Sequence, residues 1–593
     1  MRHGACLYIA DKGDNERRRK SVVIYAVPEP DPHREMPRPT STGASYVSLK
    51  WPTAVMIMSL ACTGAPEPAA TPATLGPPTV SVSTAAMDAH LKYLADDLLE
   101  GRAPATRGGR LAAKYIAAQF EALGLEPAGG DGSYFQPVAL VGMTPRPSLV
   151  WGKGGATRAL TYLDEFVAWA ERPESHIVAN GEVVFVGYGV AAEEWRWDDY
   201  KDVDVRGKVL LMLVNDPGLQ DSTIFNGRAL TYYGRWTYKL EEAARRGAAG
   251  AILLHTAESA TYGWDVVRGS WSVEQFKLDR PAAQSIAFAA WVTHDAAQAA
   301  LARVGLTLDS LTRAAGHREF RPVTTGINVA VEVTSALRHV RSENVVARIP
   351  GGDPALARQA VLFTAHWDHK GIGPAANGDS IYNGAEDNAS GVAAMLGAAE
   401  ALAQVQPRPR RTLLFVATTA EESGLLGSEA YTRDPLVPLE QTAAVINLDV
   451  TNVRGATRDI DALGLDRSTL GAVFDAAARA ESLAVVHEPD VRGSFYRSDH
   501  FPFSKAGVPA LSIEPGRDFV GRPAGWGQEE AARYNRERYH QPGDEYRPTF
   551  SYAGMAQEVR VAVRVALAVA NASAMPRWLP NSEFQRPVER ARP

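Results

Sequence analysis

Residues 361–369 read Val-Leu-Phe-Thr-Ala-His-Trp-Asp-His, five uncharged residues running straight into His366, Asp368 and His369. A run this short and apolar reads as a strand covered on both faces. The pattern recurs downstream. TLLFVATTA (412–420) runs into Glu421 and Glu422, and AAVINL (443–448) ends at Asp449; NVVARI (344–349) and VPALSI (508–513) are strands of the same kind. Helical periods fall at 388–404, 424–431, 467–482 and 552–571. Strands alternating with helices predict an α/β fold, a mainly parallel mixed sheet sandwiched by helices. Ligands bind such sheets beyond the carboxyl ends of the strands, where these charged residues stand.

Upstream, 87–99 and 109–124 read as amphipathic helices; Ala112, Tyr115, Ile116, Phe120 and Leu123 share one face of the second. From 141 to 335 the rhythm changes. VVFVGYGV (183–190) and KVLLMLVND (208–216) alternate with loops rich in Asp, Gly and Trp, and KLEEAARRGAAGAILLH (239–255) reads as helix, glycine turn and buried strand. Four segments follow: an N-terminal extension (1–80), a catalytic domain (81–140 plus 336–575), a β-rich insertion (141–335) and a C-terminal tail (576–593).

The chain has 593 residues, 45% hydrophobic and 22% charged, with a net charge of -6. That is ordinary for a globular protein and gives no reason to expect a nucleic-acid partner. The two cysteines, Cys6 and Cys62, both precede the first helix, so a metal in the body of the protein falls to His, Asp and Glu. Lys50, the apolar run 54–61 and Cys62 read as an export signal too short to span a membrane. MSLAC (58–62) has the look of a lipoprotein cleavage site, with Ser59 where Leu is usual. Export to the periplasm, the outer membrane or the medium is expected, with membrane contact only through lipid on Cys62. Met36 is an alternative start, and oligomeric state is left open.

Each charged motif alone is weak, since strand ends and helix starts attract such residues anyway. Their conjunction suits zinc held by nitrogen and oxygen. Two neighbouring ions need a shared ligand, and Asp387, opening the helix in GAEDNASG (384–391), is central enough in sequence to be one. Of the adjacent pair, one glutamate is able to bind metal while the other takes a proton from water. Asp368 is spaced to fix the His366 imidazole.

The order HWDH (366–369), GAEDNASG, AEESGLLGS (420–428), NLD (447–449), SDHFPF (498–503) and YHQPGD (539–544) resembles the zinc exopeptidases of metallopeptidase clan MH, the secreted bacterial dizinc aminopeptidases. The resemblance covers 80–140 and 340–570. It implies two zinc ions, one on His366, Asp387 and Asp449 and one on Asp387, Glu422 and His540. It implies further that Glu421 is the general base for a bridging water that attacks the terminal bond of a peptide substrate. Tyr496 is the candidate donor to the oxyanion. His369 and His500 are expected to support the site without binding metal, and Asp544 to order the His540 loop. Residues 141–335 resemble a protease-associated domain, a lid or substrate-selecting wall, in which Trp195, Trp197, Trp236 and Trp264 form either an aromatic rim or core.

Two rivals follow from the same residues. A carboxypeptidase or dipeptidase would need a cationic clamp, for which Arg497 is the candidate. A non-catalytic binding protein would show missing ligands, and none is missing. Glutaminyl cyclisation on a related scaffold fits a complete dizinc set poorly.

Overall fold

The computed structural model describes residues 7–8, 25–26, 81–280, 284–488, 490, 492–580 and 582–584. Cys62, the export segment and both alternative starts lie outside them. Contacts divide the chain into Met1–Thr74 and Leu75–Pro593. In the first unit Leu7–Tyr8 pairs antiparallel with Tyr25–Ala26.

In the second unit, Ala510–Glu514, Thr442–Leu448, Ala360–His366 and Thr412–Thr418 lie side by side, all parallel. The last three are buried at every position, as their continuous apolar character predicts. Alternation sorts their side chains between two layers. Val361, Phe363, Ala365, Leu413, Phe415 and Ala417 meet the helices Arg107–Ala122, Ser390–Ala403 and Ala553–Asn571. Leu362, Leu414 and Val416 face Tyr431 and Phe503 on the other side. Phe363 and Phe415 stack with centroids 5.1 Å apart; truncating either to alanine costs about 3–5 kcal/mol. The helices open where capping predicts: Ser83 accepts from Ala86 N–H and Thr106 from Gly109 N–H.

Residues 149–333 build apolar clusters of their own, around Phe185, Ile252 and Phe288 on one sheet face and Leu210, Leu253 and Trp291 on the other. Four of their strands, His176–Phe185, Val209–Leu213, Gly250–His255 and Phe288–Thr293, run parallel, flanked by helices such as Trp236–Arg245 and His294–Ala302. The region is thus α/β in part rather than simply β-rich. Two long strands, Phe135–Lys153 and Val323–Ile349, pair antiparallel from Asn328↔Gly152 to Val345↔Phe135 and pass from one region into the other. The expected boundaries at 140/141 and 335/336 fall inside these strands, whose pairing runs through the crossing without a turn. Trp197 is buried core, and Trp195, Trp236 and Trp264 pack against core clusters, which settles the choice between rim and core for these side chains. Among the described residues no helix is long and apolar enough to cross a membrane.

Candidate metal centre

The strand ends deliver their charged residues to one place. His366 closes its strand, Glu421 and Glu422 follow the turn at Ala420, and Asp449 follows Leu448. Asp387 comes from the loop before helix Ser390–Ala403, and His540 from the segment after helix Trp526–Glu537. Gly384 lets the Asp387 loop close in: its φ is +57°, and a Cβ there would stand 2.5 Å from the His369 ring.

The side chains meet through Asp387. Its Oδ1 lies 3.2 Å from His366 Nε2 and its Oδ2 lies 3.2 Å from His540 Nε2. Asp449 Oδ1 is 3.3 Å from His366 Nε2, and Glu422 Oε2 is 3.1 Å from His540 Nε2. His366 Nδ1 donates to the Asp368 carbonyl at 3.1 Å. A carbonyl only accepts, so a neutral ring turns the bare lone pair of Nε2 toward anionic oxygens. That is stable only with a proton or a cation between them.

Zinc fits this donor set. Ligands about 2.0–2.1 Å from a tetrahedral ion stand about 3.3 Å from one another, close to the four separations above. The same yardstick separates the neighbours. His369 Nδ1 is 2.6 Å from Glu422 Oε1, too close for two ligands of one ion, and Glu421 Oε2 is 3.8 Å from His366 Nε2. Donor atoms of His366, Glu421 and Asp449, and those of His369, Asp387 and Glu422, all gather within 4.8 Å in their two groups. Asp368 Oδ2 is buried with no hydrogen-bond partner. So many carboxylates cannot be packed together without cations to balance them.

The electrostatics follow. Burial holds the Glu421 carboxyl well above the ordinary range, with Glu422 and Asp449 pushing the same way against His366. Burial also raises Asp368 to about 7. For His540 burial opposes the charge, but the Glu422 carboxylate and the hydrogen bonds to Asp387 and Glu422 together outweigh it and raise the ring to about 9. For Asp387, burial and Glu422 are overcome by the His366 and His540 contacts, which hold the carboxyl low.

Around these stand residues that hold them. Ser498 Oγ donates to Asp449 Oδ2 at 2.6 Å, and Asn447 Nδ2 donates to Ser498 Oγ. Asp544 accepts from the Glu386 and Asp387 N–H groups, both at 3.0 Å, tying the His540 segment to the Asp387 loop. Arg102, fully buried, donates to the carbonyls of Trp367, Leu94, Gly384 and Asn383. Nothing in its local sequence marks this role, since all its acceptors are main-chain atoms and three of the four lie far along the chain. His500 is buried against Phe495 with both ring nitrogens unpartnered.

Two expectations are corrected. Asp368 meets the His366 ring through its carbonyl; its carboxylate Oδ1 accepts from Glu421 N–H at 3.1 Å, because the chain turns back between the two residues. Tyr496 is not free to serve an oxyanion. It is buried, its hydroxyl donates to Glu583 at 2.9 Å and accepts from Arg467 at 2.8 Å, in a cluster with Phe501 and Phe584. Trp578, Glu583 and Phe584, from the segment expected as a tail, help to make that cluster. The tyrosine bordering the carboxylates is Tyr539, stacked on His540 at 3.8 Å; burial first, then Asp387, Glu422 and Glu421, raise its phenol. Its place next to a candidate ligand was the available signal.

Residues 344–565 match the sequence profile of peptidase family M28. This segment is similar to that family. All eight candidate residues, His366, Asp368, Asp387, Glu421, Glu422, Asp449, Tyr496 and His540, lie within this match. Leupeptin-inactivating enzyme 1 of Streptomyces exfoliatus is 29% identical over 205 residues, 34% of this chain and 42% of that protein. Leucine aminopeptidase 2 of Trichophyton rubrum is 27% identical over 229 residues, 37% of this chain and 43% of its own length. The chain therefore spans less than half the length of these curated relatives. An aminopeptidase from Aneurinibacillus sp. strain AM-1 superposes with a TM-score of 0.44 at 19% identity, covering 83% of this chain and 95% of that one.

Proposed function

We propose that this M28-like chain is a dizinc exopeptidase that cleaves residues from the amino terminus of peptides. In this reading His366, Asp387 and Asp449 hold one zinc, and Asp387, Glu422 and His540 the other. The observation that carries it is the division of the Asp387 carboxylate, one oxygen 3.2 Å from each histidine.

Bound zinc would supply Lewis-acid polarisation of the scissile carbonyl and a lowered pKa for water. Glu421, left without an ion, takes a proton from the attacking water and passes it to the leaving amine as the C–N bond breaks. The Asp368 carboxylate holds the Glu421 main chain, and Tyr539 donates to the carbonyl oxygen as negative charge builds on it. The substrate's free α-amine lies among the carboxylates, whose excess negative charge favours an amino terminus over a blocked one. The same reading has the protein exported, with the apolar run 54–61 as signal and Cys62 as a lipid attachment point. Residues 141–335 act as a protease-associated wall beside the site.

The test is elemental analysis of the full chain with leucine-nitroanilide hydrolysis, for wild type and Glu421→Gln. Two zinc ions per chain in both proteins, with turnover in wild type alone, is the expected result. A chain that takes up no stoichiometric metal from excess zinc sinks the ligand assignment.

A further inference from the structure

The insertion and the catalytic domain meet where the segment 230–235 faces 493–497. Gly493 lies against Leu230, and a Cβ on it would be 2.4 Å from the leucine Cδ2. The Tyr232 ring stands 6.3 Å from Tyr496 and 5.5 Å from Phe501. Each segment ends in an arginine, Arg235 from the insertion and Arg497 from the catalytic domain.

Among the described residues neither arginine forms an ion pair with a carboxylate. Arg235 Nε is buried without a hydrogen-bond partner, and among the described residues the Arg235 guanidinium makes no ion pair. Arg497 Nη2 donates to the Arg492 carbonyl at 2.9 Å and lies 3.4 Å from Thr261 Oγ1 of the insertion, while its Nε too is buried and unpartnered. The two charges oppose one another: burial, then Arg497, lowers Arg235 to about 10. Asp490, whose charge acts on Arg235, is already engaged by the Ser494 and Phe495 N–H groups, and the Tyr496 hydroxyl by Arg467 and Glu583. The two guanidiniums are partly exposed, each with a buried Nε left open, and their planar fork suits a carboxylate.

Their position gives the source of that anion. Ser498, the residue after Arg497, donates to Asp449, and the Arg497 charge also acts on Tyr539, which stacks on His540. The geometry points to Arg235 and Arg497 as a joint receptor for a carboxylate of the peptide substrate, with the insertion contributing one of its two arms. This rests on the exopeptidase reading and narrows its substrates to peptides that carry a carboxylate near the cleaved bond, at the C-terminus of a short peptide or on an acidic side chain.

The experiment compares kcat/KM for Leu-Gly against Leu-Gly-amide, and for Leu-Glu-amide against Leu-Gln-amide, in wild type, Arg235→Gln and Arg235→Lys. The first pair reports a terminal carboxylate and the second a side-chain one. Wild type should favour the acid in one pair by about 10- to 100-fold, the range for hydrogen bonds to a charged group. That ratio should fall toward one in Arg235→Gln and recover in part in Arg235→Lys. Calorimetric titration with glutarate gives a readout independent of turnover, and its affinity should fall by about tenfold or more in Arg235→Gln. No turnover of any peptide or of leucine-nitroanilide, with glutarate still bound through Arg235, would overturn the peptidase reading alone. Acid-to-amide ratios of one in wild type, or glutarate affinity equal in wild type and Arg235→Gln, would overturn the arginine receptor.

Discussion

His366 and His540 stand on opposite oxygens of one carboxylate, each ring Nε2 3.2 Å from its own oxygen of Asp387. One side chain thereby joins two donor groups that come from distant parts of the chain. Asp387→Asn should lower the affinity for both ions, whereas Asp449→Asn should leave about one zinc per chain. Metal content after dialysis against a weak chelator separates these outcomes. Equal loss from the two variants would refute the shared role of Asp387.

Arg102 binds the main chain at Asn383 and Gly384, just before Asp387, and at Trp367, next to His366, from a fully buried position. Arg102→Met strands several carbonyls, and the expected loss is about 2–4 kcal/mol of stability. Because the loop it holds carries Asp387, zinc affinity should fall by about 10- to 100-fold as well. Urea unfolding of the metal-free protein and a zinc titration measure the two effects separately.

The two tyrosines should part company. Tyr539→Phe should lower kcat by about 10- to 1000-fold if its phenol serves the oxyanion. Tyr496→Phe should leave kcat within about twofold while costing about 1 kcal/mol of stability, since its hydroxyl is spent on Arg467 and Glu583. The reverse pattern would restore the sequence-based assignment.

Glu558 is buried in helix Ala553–Asn571, and burial raises its carboxyl to about 8 despite the Asn452 N–H it accepts. The folded state therefore favours the neutral acid. The resulting stability is fully present below the unfolded-state pKa of about 4.3 and is lost as pH rises toward 8, at up to about 1.4 kcal/mol per pH unit. Glu558→Gln removes the dependence. The melting temperature of the variant relative to wild type should thus climb between pH 5 and pH 8, and a flat difference would contradict the assignment.

Much of this was legible in the sequence because its signals were local. VLFTAH, TLLFVAT and TAAVINL each declare a buried strand, and a strand end places its next residue at the rim of the sheet. What escaped depends on contacts distant in sequence. Arg102 reaches residues more than 260 positions away, Tyr496 is claimed by Glu583 from beyond the last helix, and the ribbon between the two regions has no turn to announce it. The Asp368 carboxylate misled for a subtler reason: a two-residue spacing fixes which residue is near the ring, but not whether its side chain or its carbonyl gets there.

The uninterrupted pairing of Phe135–Lys153 with Val323–Ile349 also says how the insertion is able to behave. A tether of loops would act as a pivot, but a hydrogen-bonded ribbon of this length acts as a girder, and swinging it would break ladder bonds one after another. On the proposed exopeptidase reading, the insertion would then stand as a fixed wall beside the site, with no opening stroke between turnovers.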